Sequence, residues 1–190
     1  MIFYLLLITP LVTSIVVVTL DSQRTIGWSE RDVNPVTRLK FCSDCDDPSS
    51  ALPYLYALSA RFGPRTFRVT GELVYGVPNF GEGKKLLNYM HTSNRVVLLA
   101  RGGGIPIVDK VRKAQAAGAI AVVIIDDGQC DHELSSCGPR AGGRHDGGFS
   151  SSDSINDWST IKIPAVLITS DSADALRKNM QFERTEIGKL

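Results

Sequence analysis

The feature that most constrains the fold of this 190-residue sequence is a pair of apolar runs separated by an amphipathic segment. The runs are RVVLLA at 95–100 and IAVVII at 120–125. Short continuous runs rich in β-branched residues are typical of strands that are covered on both faces. Between them, apolar residues recur at helical spacing from 107 to 118. The order strand, helix, strand with short connections predicts a βαβ unit with a right-handed crossover.

The ends of the predicted helix are marked by residues that favour helix termini. Gly102, Gly103 and Gly104 end the first strand, and Pro106 suits the first turn of the helix, where a missing N–H costs nothing. Gly118 suits the position after the last turn. Lys110 belongs to the polar face, so we expect its side chain to be solvated.

Further segments on both sides of this unit have recognisable patterns. Alternation of apolar and polar residues from 67 to 75 predicts a half-buried strand. A third buried strand is predicted at 163–169, followed by a helix at 172–180 with Ser170 or Asp171 as its cap. One helical turn at 84–91 and a last strand at 183–190 are weaker expectations.

The N-terminal third of the chain has less regular patterns. Residues 1–20 carry no charged side chain and are mostly aliphatic, as in a signal peptide or a retained signal anchor. Either would place the domain in the lumen of the secretory pathway or outside the cell. Residues 21–65 contain four prolines and read as a connecting segment with little regular structure, with a short helix in 51–62. Because the predicted core follows Thr66, we expect a domain without residues 1–20 to fold.

Four cysteines agree with an oxidising compartment. They occur as Cys42 and Cys45, and as Cys130 and Cys137. Three disulfide connectivities are open, and we favour Cys130–Cys137 because it would close a local loop in a long polar stretch from 126 to 161. The alternative is a zinc site that uses the CxxC pair.

The central segments resemble the protease-associated (PA) domain family. The resemblance is carried by RVVLLARGG at 95–103, KVRKAQAAGAIAVVIIDD at 110–127 and IPAVLIT at 163–169, and it covers about residues 66–182. Gly104 stands where many family members have a cysteine, so the disulfide that the family usually has nearby is not implied. Within the family, the segments 118–127 and 161–164 are similar to the PA region of mannosidases that enhance endoplasmic-reticulum degradation.

The resemblance implies a small β-rich α+β domain, a sandwich-like or barrel-like sheet with an embedded βαβ unit and two or three helices, at residues 66–190. It also implies a domain without catalytic residues, which binds a polypeptide partner or recruits a substrate protein in the secretory pathway. The alternative is that the chain is a fragment of a larger PA-containing hydrolase, either mannosidase-like or a peptidase.

Candidate binding residues lie where the first two buried strands end. They are Arg101, Gly102, Gly103, Gly104, Lys110, Asp126 and Asp127. Arg101 would clamp a peptide carboxylate or pair with Asp109. The glycines and acids also imitate a dinucleotide-binding turn, but the glycine spacing of that fingerprint is incomplete. Calcium binding by Asp126, Asp127, Asp131, His132 and Glu133 is a weaker alternative to a solvated loop.

Composition excludes several classes of function. The sequence has 21 basic and 20 acidic residues, so its net charge of +1 gives no reason to expect nucleic acid as a partner. His91, His132 and His145 are the three histidines, and no spacing among them supplies a metal site or a nucleophile–base pair. We therefore expect a binding module that uses no cofactor, nucleotide or metal and is not an enzyme.

Overall fold

The computed structural model describes residues 16–22, 36–42, 49, 51–60, 62–64, 66–128 and 159–180. Seven strands and three helices lie in these ranges. The strands are β1 (Val17–Ser22), β2 (Val36–Cys42), β3 (Leu55–Ser59), β4 (Arg68–Tyr75), β5 (Val96–Ala100), β6 (Ala121–Ile125) and β7 (Ala165–Ile168). The helices are α1 (Tyr89–Thr92), α2 (Ile107–Ala116) and α3 (Ser170–Met180). No helix in the described ranges is both long and apolar enough to cross a membrane.

The strands form one closed barrel in the order β1-β2-β3-β7-β6-β5-β4, and β4 pairs with β1 to complete the ring. Strands β4, β5, β6 and β7 are parallel neighbours. The pairs β1–β2, β2–β3, β3–β7 and β1–β4 are antiparallel. The barrel is therefore mixed, and its parallel half contains the βαβ unit β5-α2-β6.

Burial on both faces explains why β5 and β6 are apolar throughout. In β5, Val96 and Leu98 belong to the core cluster inside the barrel, whereas Val97 and Leu99 belong to a second cluster that packs against α2. Helix α2 contributes Val111 and other apolar side chains to this second cluster. A strand with two buried faces has no polar side to alternate with, so it reads as a continuous apolar run.

Helix α3 follows β7 directly and packs on the interior cluster through Ala173 and Leu176. Its cap is Thr169, whose Oγ1 accepts a hydrogen bond from the N–H of Ser172 at 3.1 Å. The helix is tied to the barrel where Arg177 Nε donates to the Tyr75 hydroxyl at 3.3 Å. This hydrogen bond raises the pKa of Arg177. The predicted helix is confirmed, with its cap one residue earlier than expected.

The predicted fold class is confirmed: the molecule is a β-rich α+β domain with a barrel-like sheet, an embedded βαβ unit and three helices in its described part. Strands β5, β6 and β7 lie inside the predicted runs at 95–100, 120–125 and 163–169. Gly118 has a φ of 81° directly after the last turn of α2, in agreement with its predicted role.

The expectation that residues 21–65 form a connecting segment is wrong, because this part of the chain supplies β2 and β3 to the barrel. The helix expected in 51–62 is also wrong, since β3 lies there. Strand β1 uses residues from the end of the predicted leader, where Val18 and Leu20 are fully buried in the barrel. The core therefore does not begin after Thr66.

Several predictions fall outside the described residues. These are the leader as far as residue 15, the disulfide Cys130–Cys137 and the last strand at 183–190. Each of them stays a prediction. The zinc alternative is contradicted at Cys42, which lies in the described range and is disulfide-bonded.

Candidate functional site

The candidate site lies at the edge of the barrel where β5 and β6 end. Parallel neighbours end at the same edge, and so Arg101 after β5 and Asp126 after β6 lie side by side. Arg101 Nη1 is 2.6 Å from Asp126 Oδ1, and the two side chains are 6% and 0% exposed. The backbones of the two strand ends are also hydrogen-bonded, because the N–H of Arg101 donates to the Ile125 carbonyl at 2.8 Å.

The charge partner of Arg101 differs from the one expected. Asp109 pairs with Arg112 on α2, at 2.6 Å, and not with Arg101. Asp126 also accepts a hydrogen bond at Oδ2 from the N–H of Gly128, at 2.8 Å. A buried ion pair with further hydrogen bonds fixes the two strand ends relative to each other.

Lys110 is fully buried, so the expectation of a solvated side chain is wrong. Its Nζ donates to the carbonyls of Ala100 and Gly102, both at 2.9 Å, and to the carbonyl of Phe80. The three donors of one ammonium group thus hold the end of β5 and the loop that follows β4.

The loop after β4, residues 76–83, packs on Lys110 and Lys113, which belong to the polar face of α2 in the sequence. Lys113, one turn after Lys110, donates from Nζ to the Gly81 carbonyl at 2.6 Å. At the start of the loop, Asn88 Oδ1 accepts from the N–H of Val77 at 2.9 Å, and Asn88 Nδ2 donates to the Tyr75 carbonyl at 2.7 Å. Both ends of the loop are therefore anchored through side chains.

Residues 80 and 101–104 form what we call the rim. Phe80 is 38% exposed, and Gly102 and Gly103 lie beside its side chain. Gly102, Gly103 and Gly104 have φ values of 100°, 68° and 68°, which L-residues rarely adopt. The rim therefore places a partly exposed aromatic side chain beside a glycine backbone with an unusual conformation.

Sequence reasoning found Arg101, the three glycines, Lys110 and Asp126, and the structure brings all of them to this edge. It did not single out Phe80 or Asn88. The sequence pattern that bears on Phe80 and Asn88 is the turn-rich segment around Pro78, Gly81 and Gly83. This segment indicates a loop, but it does not indicate which helix the loop packs on.

The acidic patch considered for calcium is only partly described. Asp126 is engaged with Arg101, and Asp127 is exposed. Residues 131–133 lie outside the described ranges. Within those ranges, no three His, Cys, Asp or Glu side chains are grouped so that they could hold a metal ion.

The fold and the rim define a small α+β domain of the kind that presents loops from a rigid sheet. A family model described as the PA domain matches residues 69–176, which is more than half of the chain. The chain therefore belongs to the PA domain family, a class of protease-associated modules. The match begins in β4 and ends in α3, so β1, β2 and β3 complete the barrel from outside the matched range. A comparison with curated proteins found no match.

Proposed function

We propose that this chain acts as a non-catalytic PA domain that binds a polypeptide partner or a substrate protein at the rim. The observation that carries this proposal is the anchoring of the rim by the buried Lys110 ammonium group and the Arg101–Asp126 pair. Binding to a preorganised surface loses little conformational entropy. Phe80 offers the partly exposed aromatic side chain that often anchors a protein interface.

The polar stretch between β6 and β7 forms the second part of the proposed contact surface. The chain leaves β6 through Asp126 and returns through a segment held by Gln115, which donates to the Thr160 carbonyl at 2.9 Å and accepts from the N–H of Lys162 at 2.6 Å. Long connections on a rigid scaffold commonly carry recognition.

The proposed setting is the lumen of the secretory pathway, such as the endoplasmic reticulum, or the cell exterior. It is supported by the uncharged apolar residues at 1–20 and by the even number of cysteines. The similarity of segments 118–127 and 161–164 to degradation-enhancing mannosidases suggests glycoprotein quality control as the context. In the alternative proposal, the chain is the PA part of a larger hydrolase, and the rim would then recruit substrate to a separate catalytic domain.

Selection of peptides from a random library on the immobilised chain tests the proposed binding role. We expect enrichment of binders that are lost when Phe80→Ala removes the aromatic side chain from the rim. Tyr56→Ala is the matched control, because Tyr56 is an exposed aromatic residue on β3. If Phe80→Ala weakened peptide binding no more than Tyr56→Ala does, the interaction would lie elsewhere.

Replacement of residues 129–158 tests the role of the long connection. Because β6 and β7 are parallel neighbours, the linker must allow a crossover of about a dozen residues or more. With a Gly/Ser linker of that length we expect the free energy of unfolding to stay within about 2 kcal/mol of the wild type, while peptide binding is lost. Unchanged peptide binding would show that the connection is not part of the contact surface.

A further inference from the structure

A cavity with a volume of about 540 Å³ lies between the segment 84–89 and the C-terminal half of α2. We call it the basic groove and define it by Lys84, Lys85, Tyr89, Arg112, Lys113 and Ala116. The groove does not include Arg101 or the glycines of the rim. Lys113 of the groove is hydrogen-bonded to the carbonyl of Gly81, the residue that follows Phe80 of the rim.

The lining of the groove is far more basic than the chain as a whole. Four of its side chains are cationic and none is acidic, whereas the whole chain has a net charge of +1. Asp109 compensates Arg112 at 2.6 Å, but Lys84 and Lys85 are exposed. Lys113 uses one of its three donors for the Gly81 carbonyl. A concave surface lined by charge of one sign concentrates its field and attracts ligands of the opposite sign.

Apolar side chains accompany the charges. Tyr89 forms part of the lining, with the Lys85 Nζ 4.8 Å from the centre of its ring. Its neighbours Leu87 and Met90 are 70% and 74% exposed, more than the other large hydrophobic residues of the described chain. Leu87 and Met90 do not line the groove, but exposed apolar side chains in the same short segment are typical of a surface that is covered by a partner.

We infer that the basic groove binds an acidic polypeptide segment that carries at least one apolar side chain. The carboxylates would face Lys84, Lys85 and Lys113, and the apolar side chain would contact Tyr89 and Ala116. The concave shape favours a peptide over a membrane surface, because a cavity encloses a few side chains whereas a bilayer needs a protruding or flat face. This inference rests on the proposed function, since it names the charge of the polypeptide and a second surface that contacts it.

The test measures fluorescence anisotropy of a labelled peptide composed of Glu and Leu, titrated with the full chain. We expect saturable binding that weakens as ionic strength rises. The double variant K84E/K85E should weaken it by about tenfold or more, because two attractions become repulsions. A peptide with Lys in place of every Glu should show the reverse order, with tighter binding to K84E/K85E than to the wild type.

The matched control is K40E/K178E, which makes the same change of charge at lysines that do not line the groove. We expect this control to bind the Glu/Leu peptide within about twofold of the wild type, apart from the long-range effect that salt screens. Equal losses in the two double variants would overturn the inference, since the binding would then report only net charge. Thermal melts of both variants check that the fold is intact, and K84A/K85A provides a milder change with an intermediate loss.

Two further outcomes separate this inference from its rivals. Capture of vesicles made of phosphatidylserine and phosphatidylcholine that depends on Lys84 and Lys85, without peptide binding, would overturn it in favour of a membrane surface. Absence of Glu/Leu peptide binding together with Phe80-dependent binders from the random library would overturn it and leave the proposed function intact. Absence of both kinds of binding would overturn both.

Discussion

Two neighbouring glycines of the rim share one backbone conformation but differ in their surroundings. Gly103 and Gly104 both have a φ of 68°. A Cβ atom at Gly103 would lie 2.7 Å from Phe80 Cβ, whereas a Cβ atom at Gly104 would meet nothing within 4 Å. We predict that Gly103→Ala lowers the free energy of unfolding by about 1–3 kcal/mol more than Gly104→Ala, because only the former adds a steric clash to the backbone cost.

Urea denaturation of the two glycine variants measures this difference. Gly104→Ala is the control, because it has the same left-handed backbone and an open environment. Equal losses for both variants would mean that the backbone conformation alone determines the cost, and that Phe80 moves away freely.

The buried ammonium group of Lys110 leads to a second prediction. Lys110→Met keeps an unbranched side chain as far as Cε but removes the ammonium group, so the carbonyls of Phe80, Ala100 and Gly102 lose this donor. We expect a loss of about 2–3 kcal/mol in the free energy of unfolding, because three hydrogen bonds from a buried charged donor are removed. Hydrogen exchange of the amides in 76–83 should also become faster.

Lys113→Met is the comparison for Lys110→Met, because Lys113 is only partly buried and donates to one carbonyl, that of Gly81. Lys113→Met should lower the free energy of unfolding by less than half as much as Lys110→Met. If Lys110→Met were as stable as the wild type, the contacts of its ammonium group would not be what holds the loop on α2.

At the scale of elements, β1 is expected to be indispensable. It pairs with β2 on one side and β4 on the other, and its Val18 and Leu20 are buried in the barrel together with Val16, which precedes the strand. We predict that a chain without residues 1–14 unfolds cooperatively on heating. A chain without residues 1–20 should lose this transition, because the barrel is left open and two strand edges are exposed.

Circular dichroism melts and size-exclusion chromatography distinguish the two truncated chains. Leu20→Ala in the longer chain is a milder probe, for which we expect a loss of about 2–5 kcal/mol. A cooperative, monomeric chain without residues 1–20 would contradict the role of β1.

The elements that could be predicted from the sequence are those with two buried faces or a complete helical period. Strands β5 and β6 read as apolar runs because α2 covers one side and the barrel interior covers the other. Strand β1 has a period-two pattern in which Val18 and Leu20 alternate with Thr19 and Asp21, but it continues an apolar leader that hides it. Nothing local indicates that Thr19 lies opposite Thr70, since that register depends on distant strands.

The site was predictable in its position but not in its contacts. Parallel strands bring Arg101 and Asp126 to one edge, and that follows from the βαβ pattern alone. The burial of Lys110 does not, because periodicity assigns it to the polar face of α2. Lys110 is covered by the loop after β4, and packing of a loop leaves no periodic signal in the helix on which it packs.

At the scale of the whole molecule, the proposed binding role predicts a catalytically silent chain. The three histidines have no spacing that provides a nucleophile with its base or three ligands for a catalytic metal. We expect the purified chain to show no turnover of peptide, ester or mannoside substrates above a buffer blank. Turnover that follows the chain through purification and disappears on denaturation would overturn the non-enzymatic proposal.

The pairing of β3 with β7 affects how the chain folds during translation. Leu58 of β3 lies opposite Leu167 of β7, so a strand from the first third of the chain is completed by one from near the end. At a synthesis rate of roughly 5–20 residues per second, β7 is synthesised about 5–20 s after β3. The nascent chain must therefore carry β1, β2 and β3 with an unpaired edge during that interval, and we expect a holding chaperone to raise its yield during translation.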